Sequence, residues 1–425
     1  MFDLAGVNIN VNYTIAMKSR TAATTDCGGS WQFAADMGWT TVSEWSLVCE
    51  RTALLSTVQG SYMGGVFVGC LFWGWASDKF GRRPSILAAA VIQIVSSIIA
   101  AFSVNYIMFI FFRFLIAFSV SGVFECGFVL VTEIVAPQLR TPFGIMTQFP
   151  FGIGASLLPL VAYFIKDWTS LQLAISIPCT LLVSYYWFIP ESPRWLVMKG
   201  RHKEAVEILK QAAKTNGKQI PDDAELLEMT QSLEATEEVE TAEVIEISTT
   251  EKIKDAFSEI VTLFATPQMR KRTVVIFFSW MVVAMVYYGL SFNTKNIGGD
   301  IYVNNFISGF AEVVACVVII PALSRYGRVK IYSGTFILGG ISCIGVALVL
   351  WCAEKGSMVA LITTLAMLGK FLIAGTFALA YVSLHCNVFV THIGIHIMCY
   401  SCTLRSCSPP LSATWQWEAL QLSLE

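Results

Sequence analysis

Apolar residues along the chain gather into runs of about 20, the length a helix needs to cross the hydrocarbon core of a bilayer, and these runs recur at short intervals from Leu54 onward. Nine spans are predicted, at 54–76, 84–103, 106–131, 143–165, 171–189, 273–293, 302–323, 331–352 and 358–382. Residues 1–53 hold no apolar run of spanning length, a polar stretch at 190–272 separates five spans from four, and the clean runs stop at Ser383. The expected organisation is an N-terminal segment 1–53, a first membrane half 54–189, a loop 190–272, a second half 273–382 and a divergent tail 383–425.

Composition supports an all-α, multi-pass membrane protein with the lipid bilayer as its surroundings. Soluble chains carry about 25% charged residues, whereas this one has 14% charged and 55% hydrophobic. A net charge of −2 gives no basic excess for nucleic acid, and 29 Phe with 12 Trp exclude a long disordered chain. The 12 Cys lie mostly inside apolar runs and read as small packing residues.

Lys and Arg in short loops set the orientation. Lys79, Arg82 and Arg83 follow the first span, Arg140 follows the third, and Arg325, Arg328 and Lys330 follow the seventh. All fall on one side, the cytoplasmic one, if residues 1–53 are outside. An outside segment of that length without a signal peptide suggests a missing preceding helix. It carries a glycosylation acceptor, Asn12-Tyr13-Thr14, and two cysteines, Cys27 and Cys49, that could form a disulfide there. The 190–272 loop is cytoplasmic by the same count. It begins basic and helix-prone at 199–218, and its Glu/Thr-rich middle, 234–251, reads as a solvated acidic helix or linker.

Chemistry concentrates in a few places. The first basic loop reads Gly74-Trp75-Ala76-Ser77-Asp78-Lys79-Phe80-Gly81-Arg82-Arg83. Glycine serves the tight turn, Asp78 sits near a helix end, and the arginines can pair with carboxylates of neighbouring helices. Gly60 with Gly64, and Gly65 with Gly69, give small-residue faces for close helix packing. Ionisable residues inside a span are expensive and so point to function or pairing; Glu312, Lys370 and Arg113 are three. A buried carboxylate facing aromatic rings would select a lipophilic cation by charge and cation–π attraction. Lys370 either projects into a cavity or pairs with a carboxylate. The tail has zinc-like spacing in His392, His396, Cys399 and Cys402 but no supporting context, and no metal site is assigned. No nucleophile with a base, phosphate loop or ATP signature supports an enzyme or pump.

The Gly-x-x-Ser-Asp-x-x-Gly-Arg-Arg loop resembles that of the major facilitator superfamily, and further segments resemble its organic cation/anion/carnitine branch, solute carrier family 22. These are Thr41-Val42-Ser43-Glu44-Trp45, the Thr132-Glu133 and Arg140-Thr141 pair, Pro190-Glu191-Ser192-Pro193-Arg194-Trp195, and Tyr287-Tyr288-Gly289-Leu290-Ser291 with Asn296 to Asp300. The resemblance covers residues 25–382, in register with helices 2 to 10 of a 12-helix fold. It implies that helix 1 is missing and that Ser383-Leu384-His385-Cys386 stands where the family leads into helices 11 and 12. The second basic loop departs from the pattern, with Ser324 in place of an acid before Gly327 and Arg328.

The resemblance makes Glu312 a lining residue of the substrate cavity, together with Phe124, Gln148, Tyr287 and Tyr288. It gives Glu133 to the inside-loop arginines, groups Gly74, Asp78, Gly81, Arg82, Arg83, Arg140, Glu191, Arg194 and Arg328 as a conformational motif, and gives Arg113 a structural pairing. The implied fold is an incomplete major-facilitator bundle in the plasma membrane. The implied function is alternating-access transport of organic cations or carnitine-like zwitterions without a cofactor, a cation being drawn inward by about 2.3 kcal/mol per 100 mV. Two alternatives stand beside it: an organic anion carrier of the same family, and a truncated, non-transporting form that acts only by pairing with a full-length carrier or does nothing.

The orientation is testable. A cysteine introduced by Glu240→Cys should resist a membrane-impermeant maleimide in intact cells and react after permeabilisation; labelling of intact cells would reverse the topology.

Overall fold

The computed structural model describes residues 39–47, 51, 53–136, 139–217, 226–228, 230–231, 267–292, 300–352 and 358–385. Asn12, Cys27, Cys49, the acidic stretch 234–251 and the His/Cys tail lie outside the described residues. Among the described residues every regular element is helical, and nine helices are long and apolar enough to cross a membrane. They are α1 (Ala53–Phe80), α2 (Arg82–Ala101), α3 (Tyr106–Ile134), α4 (Arg140–Phe164), α5 (Trp168–Phe188), α6 (Pro267–Phe292), α7 (Ile301–Tyr326), α8 (Arg328–Cys352) and α9 (Val359–His385). The last runs three residues past the apolar stretch that defines it in the sequence.

The two ends of the bundle use different turn chemistry. At the end away from the basic loops, short polar side chains cap the helices: Asn105 accepts from the Met108 amide at 2.8 Å, Asp167 from Ser170 at 2.8 Å, and Asp300 from Tyr302 at 2.8 Å. At the basic end the α1–α2 and α7–α8 connections each turn on one glycine, Gly81 at φ +106° and Gly327 at φ +82°. Both conformations exclude a Cβ on steric grounds.

Two of the runs read as continuous spans are interrupted. In α4 the helix Arg140–Met146 stops and restarts at Phe149, because Pro150 has no amide to donate back along the helix. In α5 the α-helix ends at Cys179 just after Pro178 and tightens to a 3₁₀ turn over Thr180–Ser184.

Small residues bring helices together. A Cβ on Gly65 would stand 2.4 Å from the Phe114 carbonyl, and one on Gly69 2.2 Å from Ser121 Oγ, so α1 and α3 cross almost backbone to backbone. The other predicted face is not used this way, since Gly60 has nothing within 4 Å and Gly64 meets only the Phe114 ring at 3.9 Å. Between the two halves, α4 and α7 touch along their length. Tyr163 and Tyr302 meet at 5.6 Å between ring centroids near one end, Gly309 packs on Ala155 and Ser156 in the middle, and Ile145 clusters with Cys316, Ile319 and Leu323 at the other.

The halves also repeat each other in sequence. Arg113-Phe114-Leu115-Ile116-Ala117 of α3 recurs as Lys370-Phe371-Leu372-Ile373-Ala374 of α9. Eleven positions beyond each cation stands an aromatic, Phe124 and Tyr381. Their rings meet across the interface, 5.9 Å apart and edge to face.

The glycine crossing makes a quantitative expectation. Gly69→Val should destabilise by about 1–3 kcal/mol through overpacking, read as a lower melting temperature in detergent. Gly60→Val should stay within about 0.5 kcal/mol of wild type, as a substitution that meets no neighbour. Equal loss in both would refute the α1–α3 contact.

Candidate functional site

At the basic end the turn at Arg82 ties four elements. Arg82, whose side chain is 10% exposed, donates to Glu133 of α3 through Nε at 3.1 Å and NH2 at 2.9 Å. Its NH1 reaches Asp78 at 2.8 Å and the Ser77 carbonyl at 2.9 Å, both in α1. The fourth element is the segment after α5, where Glu191 accepts from the backbone amides of Arg82 at 2.9 Å, Arg83 at 3.3 Å and Ser192 at 2.9 Å. Ser192 caps the short helix Pro193–Met198, whose Trp195 indole donates back to the Asp78 carbonyl at 3.0 Å. Gly81 is required beneath Glu191, since a Cβ there would lie 2.4 Å from Oε2.

The remaining residues of the motif are spread more widely. Arg83 turns to the Tyr186 carbonyl at 2.7 Å, Gly74 only receives the Ser77 hydroxyl on its carbonyl at 3.0 Å, and Arg194 is on the exposed side of its helix. Arg140 opens α4 outside the Arg82 cluster. Arg328 bridges the halves by donating to Thr141 Oγ1 at 2.5 Å, a different partnership from that of its counterpart Arg82.

Deeper in the bundle, α1, α3 and α4 of one half and α6, α7 and α9 of the other enclose a cavity of about 180 Å³. The break in α4 places Gln148 on its wall, and Phe124, Tyr287, Tyr288 and Glu312 also face it. Aromatic rings form much of the lining: Tyr287 stacks on Phe377 at 4.7 Å, and Phe377 meets Tyr381 at 5.3 Å. A second space of about 380 Å³ adjoins it toward the capped end and shares Phe151, Tyr287 and Glu312 with it.

Lys370 lines that second space and is also a partner for a carboxylate. Its Nζ stands 2.8 Å from Glu312 Oε1, donates to Ser291 Oγ at 2.5 Å, and lies 3.5 Å from the centre of the Tyr287 ring. Glu312 also accepts the Tyr287 hydroxyl at 2.7 Å. The sequence separates the two charges widely, and the packing of α7 on α9 joins them. Arg113, a buried cation in the first half, has the Phe109 ring at 5.3 Å and the Tyr62 ring at 5.9 Å.

One acidic cavity residue escapes the sequence reading. Glu125 is buried in the middle of α3 and lines the cavity beside Phe124 and Ser121. Its signal was an acid inside an apolar run, the same rule that marks Glu312.

Comparison with known proteins fits this architecture. The description "Sugar (and other) transporter" matches residues 7–403. The chain belongs to the sugar (and other) transporter family. Within the major facilitator superfamily it is homologous to the solute carrier 22 organic cation transporters. It is 37% identical over 341 residues to the "Organic cation transporter protein" of Drosophila melanogaster, covering 80% of this chain and 60% of that one. It is 33% identical over 366 residues to "Solute carrier family 22 member 3" of Mus musculus, covering 86% and 62%. The chain thus spans about 60% of the length of these curated relatives. Its fold is that of the proton:xylose symporter XylE bound to 6-bromo-6-deoxy-D-glucose, with a TM-score of 0.64 at 18% identity over 88% of this chain and 82% of that one. The relatives named above are transporters, and the nine spans among the described residues are consistent with placement in the plasma membrane.

Breaking the central pair from one side leaves a buried charge without its partner. Lys370→Met should therefore destabilise by about 3–5 kcal/mol, and adding Glu312→Gln should recover most of that loss. The check is a double-mutant comparison of thermal unfolding; additive losses would disprove the coupling.

Proposed function

We propose that this chain forms the substrate pathway of a secondary carrier for organic cations, working by alternating access between its two halves. The observation that carries the reading is the aromatic-walled cavity between the halves, lined by two carboxylates, Glu125 and Glu312, with one ammonium, Lys370, paired to Glu312 from the adjoining space. Such a wall attracts a lipophilic cation through its charge and its ring faces. An organic anion would need cationic groups in excess, so the anion alternative is the weaker one. Carnitine-like zwitterions remain within reach through their ammonium end. The names of the relatives, organic cation transporters among them, support the same class.

The Arg82 cluster serves this reading as a clasp. It holds α1, α2, α3 and the segment after α5 as one body while the other half moves against it. A cationic substrate would enter cells down the membrane potential, with about 2.3 kcal/mol gained per charge per 100 mV, whereas a zwitterion of no net charge gains nothing from it.

The test is uptake of labelled tetraethylammonium into proteoliposomes. Saturable uptake that rises when the interior is made negative, and that an organic anion does not compete with, is the expected outcome. Uptake indifferent to potential would argue against cation transport. A chain that takes up nothing would favour a form acting only with a full-length partner.

A further inference from the structure

We propose that Glu125 on α3 is the residue that recognises the positive charge of the ligand, while Glu312 is occupied in holding Lys370. This assignment rests on the cation reading above and names the group within that cavity that carries it out.

The two carboxylates are in different situations. Glu312 already has a cation at 2.8 Å and a phenol donor at 2.7 Å, so its charge is answered within the protein. Glu125 is 6% exposed and faces the cavity, and among the described residues no hydrogen bond or ion pair reaches its carboxylate. An ionised carboxylate away from water is strongly unfavourable unless something positive meets it. The cavity beside it is where that positive group can arrive.

The surroundings suit an alkylammonium. Phe124 precedes Glu125 on the same wall, and the Tyr381 ring reaches Phe124 from the opposite half, so ring surface flanks the carboxylate from both halves. A quaternary ammonium has no N–H to donate. It is held by a charge at contact distance and by ring faces, and it leaves no donor unsatisfied when buried. Counting the charges that line the two spaces, Lys370 offsets one carboxylate and Glu125 leaves one negative charge over. The ligand class that balances this is a monovalent cation. A zwitterion would bring a carboxylate for which the cavity holds no spare cation among its described lining residues, so it should bind more weakly than a simple alkylammonium of similar size.

The experiment is direct binding of tritiated tetraethylammonium to the purified 425-residue protein in detergent, with melting temperature recorded in parallel. Glu125→Gln keeps the side chain's shape and removes its charge. It should weaken binding at least tenfold and, with no ligand present, raise the melting temperature, because an unpaired buried charge is gone. Glu125→Asp should retain binding to within about threefold, as a conservative rescue of charge. Affinity unchanged in Glu125→Gln would overturn the assignment while the cation reading stands. A lower melting temperature in Glu125→Gln would mark the residue as structural and overturn it as well. Wild-type protein that binds no tetraethylammonium would instead sink the cation reading, and this assignment with it.

Discussion

The hydrocarbon core of a bilayer supplies no water to a charge or to a free backbone group, and the buried chemistry of this bundle is arranged around that fact. Arg82 is surrounded at the basic end by Glu133, Asp78 and a main-chain carbonyl, with Glu191 gathering the neighbouring amides. Lys370 is matched by Glu312 and laid over a tyrosine ring. Arg113 lies among aromatic rings. The same rule that produces these tight partnerships makes Glu125 stand out, since it borders a cavity without a partner of its own among the described residues.

The repeated Arg/Lys-Phe-Leu-Ile-Ala segment shows how the two halves divide labour. The equivalent helices α3 and α9 each carry a buried cation and, further along, an aromatic that meets its counterpart. Past that point the copies diverge. Helix α3 goes on to Glu125 and Glu133, whereas Val382 follows Tyr381 in α9. The acidic character of the cavity on the α3 side therefore belongs to one repeat alone, while the Glu312–Lys370 couple belongs to the other. The basic loops diverge in the same manner: Gly81 and Gly327 keep a shared backbone form, yet Arg82 closes within its own half and Arg328 reaches across to Thr141.

Much of the architecture was legible because lipid imposes a coarse rule: runs of about 20 apolar residues become spans. The Arg82–Glu133 partnership was legible through the loop motif. What escaped depended on details that hydropathy does not register. Pro150 and Pro178 sit in runs whose average stays apolar, so the breaks they cause in α4 and α5 leave no trace in the pattern. The Glu312–Lys370 pair joins residues far apart in sequence, and only helix packing brings them within 2.8 Å. Of the two glycine faces on α1, the sequence could not tell which meets α3, because both have the same spacing. Glu125 is hidden differently: a single acid among aromatic and small residues leaves the average of its run apolar.

The α4–α7 seam has a mechanical consequence. Contact at both ends and in the middle restrains sliding and splaying there, but rotation about the seam's own length disturbs it least. The seam then acts as an axle with the rest of each half as its lever arm. A few degrees of turn at the glycine contact would be felt as ångströms at the far side of the bundle, and the stiffness of the whole machine would be set by a residue as small as Gly309.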